Sequence, residues 1–337
     1  MGRRIPLKFN VEDIRGVMAV LPTPSTPDAS SINAKFTVDL TESKKMLEKL
    51  IVDGIDGIMT NGTLGEMATL TLEEWKSFTK VVAQTVQQLK PDLPLFIGAT
   101  TLGTRETLER IQYLHDLGVR GLFLGRPFWN ELGSEALINF YQDIANSFPD
   151  MSIVLYDNPE VFKGSISTSV YKELAKIPQI IGTKYIALTP KFKADMEAVA
   201  GNIRLMPLDL DWFQAYALYP EEVTACWSSN AVGDPAPVIA LRDLLQNEDF
   251  EEARELSRKL EYTNETFLAR VNFPEFSKYN ISLEKIRFDE AGYVKAGPAR
   301  SPYHIVPESY AEGARETGRR WRALAEQIRM ATIPSGK

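Results

Sequence analysis

Short apolar runs alternate along the chain with longer amphipathic stretches. The runs at 17–21, 55–60, 95–100, 121–124, 152–156, 180–184, 203–207 and 223–227 are rich in Ile, Val, Leu and Phe and too short for helices. They predict strands buried on both faces. Between them, segments such as 40–53, 72–90, 104–117, 136–147 and 167–176 repeat apolar residues at helical spacing. Thr71 stands just ahead of Leu72-Glu73-Glu74, where its hydroxyl can cap a helix whose first-turn carboxylates suit the positive end of the dipole.

Strand–helix alternation of this kind predicts a parallel sheet covered by helices. Eight units fit a closed (β/α)8 TIM barrel. An open doubly wound sheet would carry a glycine-rich phosphate loop after its first strand. That position holds Pro22-Thr23-Pro24-Ser25-Thr26-Pro27, whose prolines do not open a phosphate-binding helix. The barrel is expected over residues 1–235. From 236 to 337 the pattern changes to a C-terminal helical extension packed on the barrel. Its helices are expected at 238–246, 250–267 and 310–330, with a loop-rich stretch at 272–307.

Charge and composition narrow the function. A net charge of −7 over 337 residues argues against a general nucleic-acid binder. The basic cluster Arg319-Arg320-Trp321-Arg322 reads instead as a solvated or subunit-contact helix face. The lone Cys226 excludes an internal disulfide and a multi-cysteine zinc site, and reads as a small buried residue rather than a nucleophile. His115 and His304 are far apart in sequence, so no metal is expected. No apolar run approaches the ~20 residues of a membrane span. The basic start MGRRIPLKFN has no apolar signal region behind it, so a cytoplasmic location is expected.

Barrel chemistry gathers at the C-terminal ends of the strands. The sixth predicted strand ends in Lys184, where burial would favour a neutral amine able to attack a ketone and form a Schiff base; a lysine snorkelling to the rim is the plainer reading. The fifth ends in Tyr156-Asp157-Asn158-Pro159, and a phenol on the neighbouring strand can exchange protons beside an imine. The second runs into Asn61-Gly62-Thr63-Leu64-Gly65-Glu66, a tight turn whose amides and Thr63 hydroxyl could hold a small carboxylate. Glu66 would cap or orient that loop. Trp227 at the eighth strand, with Phe128 and Trp129 after the fourth, offers aromatic walls for a flat group, or simply core and interface aromatics.

Together, Gly62-Thr63-Leu64-Gly65-Glu66, Tyr156-Asp157-Asn158-Pro159 and Gly182-Thr183-Lys184 resemble the dihydrodipicolinate synthase / N-acetylneuraminate lyase family of class I aldolases. Within it, residues 22–30, 62–70, 275–280 and 295–298 are most similar to the hydratase-aldolases of bacterial aromatic-hydrocarbon degradation. Dihydrodipicolinate synthases usually carry Pro-Tyr-Tyr after the fourth strand, with a tyrosine that relays protons to a neighbouring subunit's site. Pro127-Phe128-Trp129 lacks that relay.

The resemblance implies a mechanism without cofactor or metal. Lys184 condenses with the ketone of an arylidene pyruvate whose carboxylate rests on the Thr63–Leu64 turn. Water adds at the carbon bearing the ring, Tyr156 takes the new hydroxyl's proton, and an aromatic aldehyde and pyruvate leave. Asn158 and Asn280 would orient water or the hydroxyl, and Trp227 would pack on substrate. A homotetramer is also implied, with no nucleic-acid or membrane partner.

Arg126 bears on the ring. A guanidinium suits a carboxylate, which favours trans-2'-carboxybenzalpyruvate, cleaved to 2-carboxybenzaldehyde in phenanthrene degradation. The alternative is trans-o-hydroxybenzylidenepyruvate, giving salicylaldehyde in naphthalene degradation, with Arg126 turned outward to a surface or subunit carboxylate. A synthase joining pyruvate to a semialdehyde and a non-catalytic keto-acid sensor complete the alternatives. Phe128-Trp129 speaks against the first of these, and the pairing of Lys184 with Tyr156 against the second.

Overall fold

The computed structural model describes residues 6–332. The first five residues of the basic leader, and the last five of the expected extension, lie outside that range. All eight expected strands form, each within a few residues of its predicted bounds. They are β1 (Gly16–Val20), β2 (Gly57–Thr60), β3 (Leu95–Gly98), β4 (Gly121–Leu124), β5 (Ser152–Tyr156), β6 (Ile180–Lys184), β7 (Arg204–Met206) and β8 (Ala225–Ser228). They pair in the order β7-β6-β5-β4-β3-β2-β1-β8. The ends of that order approach through a parallel bridge between Leu208 and Trp227, nearly closing a TIM barrel. Strands β1 to β7 are buried on both faces but for Lys184, which explains their unbroken apolar character.

Contacts group the chain into two compact units. One comprises Met1–Met18, Asp56–Gly62 and Asp92–Trp227, and holds the strand ends from β2 to β7 with most of β8. Its core is aliphatic and aromatic, with Phe96, Phe123 and Tyr141 fully enclosed. The other comprises Ala19–Ile55, Thr63–Pro91 and Ser228–Lys337. In it the Thr71 cap forms as expected: Glu74 N–H donates to the Thr71 hydroxyl at 3.2 Å, and Thr71 N–H donates back to the Glu74 carboxylate at 2.9 Å.

The expected loop at 272–307 is corrected by the structure. Helices Phe273–Ser277 and Asn280–Ala291 occupy much of it. The second of these buries Ser282, Glu284, Lys285 and Arg287 alongside Ile281, Leu283 and Phe288, so no apolar stripe stands out against a polar face. The charges are met internally, Arg287 donating to Glu284 and to the Ser229 hydroxyl at 2.9 Å. Leu283 joins Phe267, Phe276 and Ala314 in a small core beneath the last helix, Glu308–Thr332.

The basic cluster lies on that last helix, where Arg319 and Arg320 meet carboxylates and Arg322 donates to the Glu290 carbonyl at 3.1 Å. Arg319 pairs with Glu312 and Glu316, Arg320 pairs with Glu316, and Trp321 is buried with its indole N–H on the Asp234 carbonyl at 3.0 Å. No helix among the described residues is long and apolar enough to cross a membrane. No group of three or more His, Cys, Asp or Glu among them is placed to hold a metal. Cys226 is buried, and that burial pushes its thiol well above the ordinary value.

Candidate active site

Lys184 closes β6 and is half-buried, the one position of that strand not fully enclosed. Its backbone partner on β5 is Tyr156. That pairing depends on a bulge: Ile153 sits opposite Ile180, but the next residue, Val154, sits opposite Gly182. Ile181 is the extra residue; were it paired in the regular register that starts at Ile153–Ile180, Tyr156 would face Thr183. Gly182 tolerates the distortion, since a β-carbon there would already crowd the Val154 side chain at 3.3 Å. The lysine and the phenol therefore emerge side by side.

Trp227 completes this corner. The Lys184 Nζ lies 3.4 Å from its ring centroid and 5.7 Å from that of Tyr156. The indole N–H donates to the Tyr185 carbonyl at 2.6 Å, and the backbone N–H donates to the Pro207 carbonyl at 2.9 Å. Both bonds fix the ring beneath the amine, where its face favours a cation such as an ammonium or a protonated imine.

Tyr156 is buried between Phe123, at 4.6 Å between centroids, and Phe162, edge-on at 5.3 Å. Gly62 closes the third side; any β-carbon there would meet the Phe123 ring at 3.0 Å and Tyr156 at 3.5 Å. The Asn158 amide donates to the Tyr156 hydroxyl at 3.3 Å, while its carbonyl oxygen caps the short helix Pro159–Phe162 by accepting from Glu160 N–H. The hydroxyl is thus aimed by a side chain that is itself anchored.

Arg126 finds its partners within the chain. It is buried, donates to the Asp157 carboxylate at 3.0 Å and to the Gly164 carbonyl, and lies 5.0 Å over the Phe162 ring. Asp157 also accepts from Ile166 N–H at 3.0 Å. The guanidinium ties down the loop after β5, where the buried Asp157 carboxylate, next in sequence to the capping Asn158, needs a partner. Phe128 is half-buried and packs edge-on against Phe162 at 5.9 Å. Trp129 is 73% exposed, and its carbonyl accepts from the Lys163 ammonium at 2.5 Å.

Thr63 is half-buried and Leu64 buried; they follow Gly62 along the chain and belong to the other compact unit, as does half-buried Asn280 at the start of its helix. Sequence reasoning left Glu66 as a loop cap or orienter and missed what holds it. Glu66 is completely buried and adopts a left-handed φ of 55°, uncommon for a residue with a long side chain. Its carboxylate accepts from Lys285 at 2.8 Å, from Arg300 N–H at 2.7 Å and from the Arg300 guanidinium. Burial lowers the Lys285 amine to about 8; Glu66 works against that fall and Arg300 adds to it.

Fold and strand ends together make an eight-stranded α/β barrel with a lysine and a tyrosine abreast on adjacent strands. The sequence matches the Dihydrodipicolinate synthetase family over residues 17–315, and the chain belongs to that family. It is 40% identical over 321 residues to a trans-o-hydroxybenzylidenepyruvate hydratase-aldolase of Pseudomonas putida, covering 94% of this chain and 96% of the relative. To a trans-2'-carboxybenzalpyruvate hydratase-aldolase of Nocardioides sp. (strain KP7) it is 38% identical over 324 residues, covering 95% and 96%. A solved structure described as PhdJ bound to substrate intermediate superposes with a TM-score of 0.93 at 43% identity, covering 96% of this chain and all of that one.

Proposed function

We propose that this protein is a hydratase-aldolase that converts an arylidene pyruvate into an aromatic aldehyde and pyruvate through a Schiff base on Lys184. The observation that carries this reading is the pairing of Lys184 with Tyr156 in one register, the amine resting on Trp227. Near full-length similarity to hydratase-aldolases supports the choice of substrate class.

The Lys184 amine adds to the keto carbon and water leaves, giving an iminium. This draws electrons through the conjugated alkene, so a water oxygen bonds to the carbon bearing the ring and a proton ends on the neighbouring carbon. Tyr156, aimed by Asn158, takes the new hydroxyl's proton. The carbon–carbon bond then breaks: the carbon bearing the ring leaves as an aldehyde, and the bond's electron pair forms the enamine. Protonation and hydrolysis of the enamine release pyruvate and restore the amine. The protonated imine is itself the electron sink. Thr63 and Leu64, next along the chain from the glycine packed on Tyr156, are proposed to take the carboxylate, with Asn280 as a further polar contact.

With Arg126 committed to Asp157, a preference for the ortho-carboxy ring loses its structural support. We keep the ring class, an ortho-substituted aryl group, and leave the two relatives' substrates as equal candidates. The test is to incubate the protein with trans-2'-carboxybenzalpyruvate and with trans-o-hydroxybenzylidenepyruvate. Aldehyde and pyruvate in equal amounts from at least one supports the assignment; turnover of neither overturns it.

A further inference from the structure

Glu66 sits at the end of the turn that begins with Thr63 and Leu64, and its surroundings are unusual for a loop residue. Two cations, Lys285 at 1% exposure and Arg300 at 3%, converge on this single buried carboxylate. Lys285 also donates to the Thr23 carbonyl at 3.3 Å, the Ser25 hydroxyl at 3.0 Å and the Pro298 carbonyl at 3.1 Å. Arg300 extends the chain of contacts, donating to the Thr37 hydroxyl at 2.6 Å and the Thr37 carbonyl at 2.9 Å. Thr37 in turn donates from its N–H and hydroxyl to Glu74, at 2.6 and 2.5 Å. The Thr23 hydroxyl meanwhile holds the Gly65 carbonyl at 2.9 Å, and Glu66 N–H returns to the Thr63 carbonyl at 2.9 Å.

The turn from Thr63 to Glu66 is therefore clamped at its far end by residues from the C-terminal segment. Stability alone is a weak reason to keep such a cluster. Buried ion pairs give up hydration that good apolar packing would not require, and their best-attested use is to specify one geometry over others. Here the geometry specified includes a left-handed glutamate, a conformation that persists only where its surroundings impose it.

We propose that Lys285 and Arg300, acting through Glu66, are positioning residues that hold the Thr63–Leu64 turn in the shape that takes the substrate carboxylate. This rests on the aldolase reading, because it takes the turn as the carboxylate site. Neither residue touches substrate; each acts by denying the turn its alternatives. The charged groups around the Lys285 amine are Glu66, Arg300 and, from its own helix, Asp289, with His304 bordering the same cleft. Loss of the Lys285 proton leaves Glu66 with one cation instead of two, so the turn should slacken as pH rises past about 8.

The test is borohydride trapping of pyruvate on the full chain, followed as a function of pyruvate concentration, with KM and kcat for an arylidene pyruvate alongside. In Lys285→Met and in the milder Glu66→Gln we expect the half-saturating pyruvate concentration and KM to rise about tenfold, roughly 1.4 kcal/mol of binding. Trapping at saturation and kcat should change far less. Wild-type KM should rise above about pH 8, and Lys285→Met should lose that rise. Should neither variant fold, the wild-type profile decides: a rise supports the assignment and a flat KM through pH 9.5 overturns it. Folded variants with wild-type half-saturation overturn it too, as does a loss confined to kcat. If wild-type protein traps no pyruvate at all, the aldolase reading fails and takes this inference with it.

Discussion

Tyr156 and Lys184 are partners across β5 and β6 only because one residue, Ile181, is left over between them. Sliding β6 by that residue would exchange Lys184 for Thr183 beside the phenol and turn the amine to the other face of the sheet. The bulge thus joins two side chains that have to act on the same carbon skeleton. It also explains a glycine two residues before the lysine, in a strand that is otherwise Ile, Ile, Thr and Lys.

The first expectation concerns the phenol. Tyr156→Phe keeps the packing against Phe123 and Phe162 but removes the hydroxyl that Asn158 addresses. It should still trap pyruvate on Lys184 while cleaving the aldol ~10²-fold or more slowly. Single-turnover measurements that separate imine formation from carbon–carbon cleavage would check this. An unchanged cleavage rate would move the proton transfer to another group.

Arg126 gives an expectation opposite to the one its position in the sequence invites. Arg126→Met leaves Asp157 buried without its ion pair, which should cost roughly 3–5 kcal/mol in chemical denaturation. Activity should fall alike on ortho-carboxy and ortho-hydroxy substrates, because the loop carrying Asn158 is loosened for both. A KM effect confined to the carboxylated substrate would return Arg126 to the binding site.

The third expectation is a pH dependence of stability. Lys285 is lowered from 10.5 to about 8 in the folded protein. Between those values the unfolded chain holds a proton that the folded one lacks, so this group adds stability as pH rises from about 8 towards 10, and its buried charge costs stability below that. Denaturation of wild type and Lys285→Met near pH 7 and near pH 9.5 should show wild type gaining on the variant by roughly 1–2 kcal/mol at the higher pH. A pH-independent difference would show that the amine keeps its proton throughout.

Where local sequence decides, the fold and the candidate site were legible. Each strand is an apolar run bounded by polar or turn residues, and Lys184, Tyr156, Asn158 and Trp227 were visible as chemistry at strand ends. Long-range partners were not. Glu66 meets Lys285 across 219 positions and Arg300 across 234, and nothing near either cation marks it as buried. The helix Asn280–Ala291 was hidden for a related reason: its buried face includes the very charges that periodicity reads as solvated. An arginine beside aromatics at a strand end reads as a ligand contact, and nothing local marks Asp157, already adjacent to Tyr156 in the motif, as a carboxylate that it meets. Phe162, which touches Tyr156, Phe128 and Arg126, carried no signal beyond being one more aromatic.

The covalent role of Lys184 is the centre of the account, and one measurement addresses it directly. Full-length protein is incubated with pyruvate, reduced with borohydride, digested and read by mass spectrometry, with Lys184→Ala treated in parallel. The account predicts a peptide carrying pyruvate less one water plus two hydrogens at Lys184, none in the variant, and no aldolase turnover in a variant that still folds. An unmodified Lys184, or a folded Lys184→Ala protein that still releases aldehyde and pyruvate, would contradict it.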